Sequence, residues 1–221
     1  TGRVSTTGAL FFGSQERQGV PHPYFGSDAR FDPTIPWTSR PLLAGTMITG
    51  YTVEDTLGLI NNGSTHHPRA PFGGIFAFCQ GVGPRGVRNP QIDSVAKALR
   101  RSGLIPQVVE APQLRNASRL MAHFGGATRM HVASNHYLSG ALAGNLTSYG
   151  GKLFEKSGQT SILEFVRHGV AGCYGTVVEP TNILTRWPEL GLLVDYAKGA
   201  TVTDAYLRHL MDPRLGVVVA D

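Results

Sequence analysis

The chain has 221 residues, 41% of them apolar and 16% charged, with a formal net charge of +5. That is enough material for one globular core, burying roughly 70% of the surface its unfolded form would expose, and it excludes a disordered or collagen-like polymer. The basic residues form no run interleaved with aromatics and no apolar stretch reaches the roughly 18 residues of a bilayer span, so nucleic acid is not an expected partner and no membrane span is expected.

In chain order, the opening "TGRVSTTGALFFG" lacks an initiator Met and reads as a processed or trimmed end, compatible with loss of an export signal. Residues 1–41, rich in Gly, Pro, Ser and aromatics, read as a loop-rich extension, and 42–221 as one α/β domain. "PLLAGTMITGY" is a strand candidate. "TVEDTLGLINNG" is a helix, with Thr52 as cap and Glu54 and Asp55 in its first turn, ending at Asn61 to Gly63. "IFAFC" is a continuous apolar strand. "QIDSVAKALRRSG" places apolar residues at 92, 95, 96 and 99, the helical period, and Gly103 closes it.

Further along, "IPQVVEA" reads as a strand, "NASRLMAHFGG" as a helix capped by Asn116, and "RMHVAS" as a strand. "ALAGNL" is strand-like, "SILEFVRHG" a helix, and "CYGTVVE" a strand. "PELGLLVDYAKG" and "TVTDAYLRHLMD" are helices, and "LGVVVAD" a last strand. This alternation predicts a mostly parallel sheet with helices on both faces. Cys79 and Cys173 are too few for a disulfide framework; each lies in an apolar run and reads as a small buried hydrophobe.

Three chemistries are open to these residues. "GVGPRG" has the G-x-G-x-x-G spacing of a phosphate-cradling loop, at Gly81, Gly83 and Gly86. However, Pro84 and "VRNP" separate it from its helix, and Glu110 alone represents the expected acidic residue, so it reads as a flexible loop. His131 and His136, with Ser134 and Asn135 between them and His66 or His67 as a third ligand, are candidate metal ligands at a strand's end. His123, His168 and His209 read as structural, near helix C-termini. Finally, Thr147 and Ser148 precede a Gly150–Gly151 pair whose amides could stabilise an oxyanion. His136 is the candidate base, with Asn135 nearby and Glu179 as orienting carboxylate. The residues call for no cofactor.

"LAGNLTSYGG", "GQTSILEFVRHGVAGCYGTVVEP" and "GLLVDYAKGATVTDAYLRHL", with "TMITGYTVEDTLGLI" and "RRSGLIPQVVEA" upstream, resemble a family of exported bacterial proteins of uncharacterised function, over most of residues 40–221. "GTVVEP" is the most specific block. The order strand, Gly-bounded loop, helix, Gly-rich strand is also similar to the C-terminal half of the caspase–gingipain cysteine peptidases. In that group a His follows one strand and a Cys the next. Carried over, the His position falls near His131 or His136, and the Cys position falls at Thr147 or Ser148. The resemblance therefore implies a caspase-like, three-layer module that has lost thiol chemistry and serves as an interaction or assembly subunit of an exported complex. It also implies a longer precursor, so that the first strand or strands of the sheet lie elsewhere. The partner would then be another protein, or the N-terminal part of the same precursor, completing the sheet. A Ser/Thr hydrolase using Ser148 or Thr147 with His136, and a His-based metal protein, are the alternatives.

Overall fold

A computed structural model describes residues 22, 24–27, 45–65 and 73–221. Six strands form one sheet in the order β2-β1-β3-β4-β5-β6. They are β1 Ile75–Cys79, β2 Ile105–Val109, β3 Leu120–Gly125, β4 Tyr137–Asn145, β5 Gly172–Thr176 and β6 Gly216–Ala220. All neighbours pair in parallel except β6, which runs antiparallel to β5.

Alternating side chains of these strands feed two cores, as the pleat requires. Phe76, Phe78, Ala122, Phe124, Leu142, Tyr174 and Val218 pack on one face. There they meet helix α2 (Asn89–Arg101), which buries Ile92, Val95 and Leu99, and helices α4 (Leu192–Ala197) and α5 (Val202–His209). Ala143, Cys173, Val217 and Val219 face the other way, against Leu59 of helix α1 (Val53–Thr65) and against helix α3 (Ile162–Arg167). The result is a three-layer α/β architecture.

Local signals set the helices. Thr52 Oγ1 accepts from Asp55 N at 3.1 Å and starts α1. Ser161 caps α3 and Thr201 caps α5, each hydroxyl accepting a first-turn amide. Pro90 stands in the first turn of α2, where its missing N–H costs nothing, and Arg100 and Arg101 oppose the dipole at the last turn.

Three elements differ from the sequence reading. "NASRLMAHFGG" is not a helix: Leu120 to Gly125 is strand β3, buried along its whole length. A central strand covered on both faces has no polar alternation and mimics a buried helix segment. Asn116 and Arg119, both at positive φ, also break any helical start. "RMHVAS" is a connection, and the strand begins only at Tyr137 and absorbs "ALAGN". In "PLLAGTMITGY", the described part contributes a single bridge, from Met47 to Val219 beside β6, while residues 41–44 lie outside the described residues. Most of the 1–41 segment lies outside them as well, although His22 docks on Leu210 O at 2.7 Å. Among the described residues, no helix is long and apolar enough to cross a membrane.

Candidate functional site at the carboxyl edge of the sheet

Open parallel sheets hold their ligands beyond the carboxyl ends of the strands. At that edge Asn145, the last residue of β4, clamps the residue two past β3. Its Oδ1 accepts from Ala127 N at 2.9 Å and its Nδ2 donates to Ala127 O at 2.8 Å. Thr147 follows, 1% exposed, and its hydroxyl donates to Gln159 Oε1 at 2.7 Å. Tyr149 N donates to the same oxygen at 2.8 Å. From β5, the buried Thr176 hydroxyl lies 2.9 Å from Thr147 O and 2.8 Å from Ser148 O. Gly151 N donates to Thr176 O at 2.9 Å, so this amide is not available to an oxyanion. A Cβ at position 151 would stand 2.2 Å from Gly175 O, which is why glycines meet where the loop after β4 crosses β5.

The base is not here. His136 precedes β4 and Ser148 follows it, at opposite ends of the sheet. The register pairs Tyr137 with Leu120 and Asn145 with Gly125, five residues apart on β3, so the two ends lie about 17 Å from one another by strand rise alone. His136 is exposed at the amino edge, where its backbone N donates to Ala117 O at 2.9 Å. Glu179 is at the carboxyl edge but exposed, and its Oε1 accepts from Thr181 N at 2.9 Å in a local turn. The structure therefore brings Thr147 and Ser148 together and leaves His136 far from both.

Among the described residues the metal constellation is not assembled either. Arg115 Nη2 contacts His131 Nε2, placing a cation at one of the two ring nitrogens a metal could use. Asn135 is a buried brace: Nδ2 donates to Leu114 O (3.1 Å) and His131 O (2.6 Å), and Oδ1 accepts from Ala117 N (3.0 Å). Among the described residues no three His, Cys, Asp or Glu side chains could share an ion. His66 and His67 lie outside the described residues. His168 and His209 sit at helix ends as expected, on Glu164 O at 2.8 Å and Asp195 Oδ2 at 3.0 Å. His123 differs: it is buried inside strand β3.

Both thiols are buried and free. Cys173 points at Ile162 O (3.5 Å), and burial pushes its pKa well up. A second arrangement has no local signature: Cys79 Sγ lies 3.8 Å from His123 Nε2, and His123 Nδ1 lies 2.8 Å from Tyr137 Oη. Burial pushes the Cys79 thiol up to about 12 and the His123 imidazole down to about 4. Both partners are thus neutral, the opposite of the thiolate–imidazolium pair a cysteine nucleophile needs. The misreading of β3 as a helix hid this contact.

Beside Thr147 and Gln159 lies an open groove of about 550 Å³, with Tyr51, Arg129, Met130, Phe154, Lys156 and Gln159 in its wall. Phe154 is 69% exposed. Gln159 Oε1 accepts from both Thr147 and Tyr149, which holds this side chain in the groove wall. Arg129 Nε donates to Gly158 O at 3.2 Å, and neither Arg129 nor Lys156 has a carboxylate partner among the described residues. Glu155 is matched by Lys152 at 3.0 Å. At the Tyr51 end, Arg167 lies over the ring at 4.4 Å and pairs with Asp55 at 3.2 Å. The edge can hold a ligand by apolar contact and positive charge, without a nucleophile–base pair.

Comparison with protein-family models, with curated proteins and with solved structures finds no match in any of the three.

Proposed function

We propose that this chain is a non-catalytic, caspase-like module that serves as an interaction subunit of an exported bacterial complex. The observation that carries the reading is the state of Thr147: at the place where the resembled peptidases keep their nucleophile, the hydroxyl is buried and donates to Gln159, with the candidate base at the far end of the sheet. The three-layer architecture agrees with a caspase-like module, and the "GTVVEP" resemblance is what suggests the bacterial, exported setting.

The groove and the helix beside it favour a protein partner. Val53, Leu57 and Ile60 of α1 are 70%, 53% and 37% exposed, at spacings of four and three residues that align them on one face. Tyr51, two residues before this stripe, lines the groove, so apolar stripe and groove adjoin. An apolar surface rimmed by charge is the usual form of an interaction site. The cations Arg129 and Lys156 select a partner segment that carries acidic side chains beside apolar ones. Another protein and the N-terminal part of the same precursor both satisfy that chemistry.

The test is binding of a displayed library of short peptides to the full chain, compared with Phe154→Ala. Selection of acidic–apolar peptides whose binding falls about tenfold in the variant, at unchanged folding stability, supports the reading. Equal binding by both proteins contradicts it.

A further inference from the structure

A second feature lies at the other end of the carboxyl edge, between β1 and β3. Connections leave β1 for β2 on one side and return from β2 to β3 on the other, so this is the sheet's switch point, the position where open α/β sheets form their ligand crevice. The "GVGPRG" segment stands there, and it is fixed, not flexible. Asn89 grips Gly81 at both polar atoms: its Oδ1 accepts from Gly81 N (3.0 Å) and its Nδ2 donates to Gly81 O (2.9 Å). Added Cβ atoms at Gly81 and Gly126 would stand 2.1 and 2.3 Å from Arg85 O, so both must be glycine for the loop to press onto the sheet. Helix α2 begins at Asn89, two residues after the loop, with no side chain capping its first turn.

Two arginines line the cleft this makes, and among the described residues no carboxylate does. Arg88 is 5% exposed. One N–H of its guanidinium, on Nη2, donates to Gly125 O at 3.0 Å, and the group lies 5.7 Å from the Phe124 ring centre. Among the described residues it has no ion-pair partner, and neither does Arg85. Burial lowers the Arg88 pKa to about 10, so it stays cationic at neutral pH. A buried charge without a counter-ion is costly, and a bound anion offsets that cost. The enclosed part of the cleft, about 10 Å³, has the size of one water or one anionic oxygen.

We infer that this cleft binds a phosphate group, one oxygen entering beside Arg88 and the others held at the mouth by Arg85 and the first turn of α2. Guanidinium forks and the positive end of a helix of 13 residues are the groups that recognise phosphate. The phosphate comes either as the free ion or as the ester of a nucleotide. Glu110, directly after neighbouring strand β2, stands where a ribose hydroxyl would be received in the second case.

Titration of the full chain with inorganic phosphate, AMP and acetate, followed by ³¹P NMR and by thermal shift, tests this. Saturable phosphate binding is expected, weakened about tenfold or more by Arg85→Ala and removed by Arg88→Met, with acetate inactive. Tighter binding of AMP than of phosphate, with the difference lost in Glu110→Ala, identifies the nucleotide as source; equal or weaker AMP binding identifies the free ion. Should Arg88→Met fail to fold, the variant Arg85→Ala, at a half-buried position, carries the test alone. Absence of saturable binding, or an affinity that Arg85→Ala leaves unchanged, overturns the inference, as does acetate binding as well as phosphate does.

Discussion

Thr147 Oγ1 donates to Gln159 Oε1 across 2.7 Å, and this contact decides what the carboxyl edge of β4 can do. A nucleophilic hydroxyl must give its proton to a base during attack. Here the acceptor is a carboxamide oxygen, which takes a hydrogen bond but not a proton at neutral pH, and which is shared with the Tyr149 amide at 2.8 Å. The contact ties the loop after β4 to the groove wall, joining scaffold to binding surface.

Replacing Gln159 with Ala strips the acceptor from a buried hydroxyl and a backbone amide together. The expected loss is about 1–3 kcal/mol, read from the urea midpoint at constant slope. Gln159→Glu retains an oxygen in place and recovers most of that loss at neutral pH.

The buried His123 makes stability depend on pH. Its pKa is lowered to about 4 in the folded chain, against 6.5 when unfolded. Between these values the unfolded chain binds the proton and the folded chain does not. Stability is therefore full above about pH 6.5 and declines as the pH falls towards 4, by about 3 kcal/mol at most. His22, also lowered by burial, acts in the same direction. Urea unfolding at pH 7 and pH 4.5 measures the decline, and His123→Gln reduces it, leaving the part due to His22. A midpoint independent of pH in the parent chain contradicts this assignment.

Cys79 and Cys173 should resist thiol reagents in the native state. Both are buried, and burial raises both thiol pKa values, that of Cys79 to about 12. Labelling with Ellman's reagent is expected to be about a hundredfold or more slower in native protein than in urea, limited by opening of the fold. Rapid native labelling of Cys79 would mean that its contact with His123 forms a reactive pair.

Much of the architecture was legible in the sequence because local chemistry wrote it there. Thr52 is a cap, the 92-95-96-99 spacing is a helical stripe, and "IFAFC" is a buried strand. Strand β3 was not legible: with both faces covered, Leu120 to Gly125 carries no period that separates strand from helix. The site suffered more from this than the fold did. Nearness in sequence suggested that His136 and Ser148 could meet, but β4 runs between them, and the length of that strand carries them to opposite edges. Likewise Pro84 concealed how soon α2 follows the glycine loop, and nothing local reveals that Arg88 is buried with no carboxylate beside it among the described residues.

The most direct test of the central claim is labelling of the native chain with a fluorophosphonate, beside Ser148→Ala and Thr147→Val. No labelling above the level of either variant is expected, because among the described residues no imidazole stands within reach of these hydroxyls. Stoichiometric labelling that disappears in Ser148→Ala or in Thr147→Val would contradict it, and would make this edge an active site.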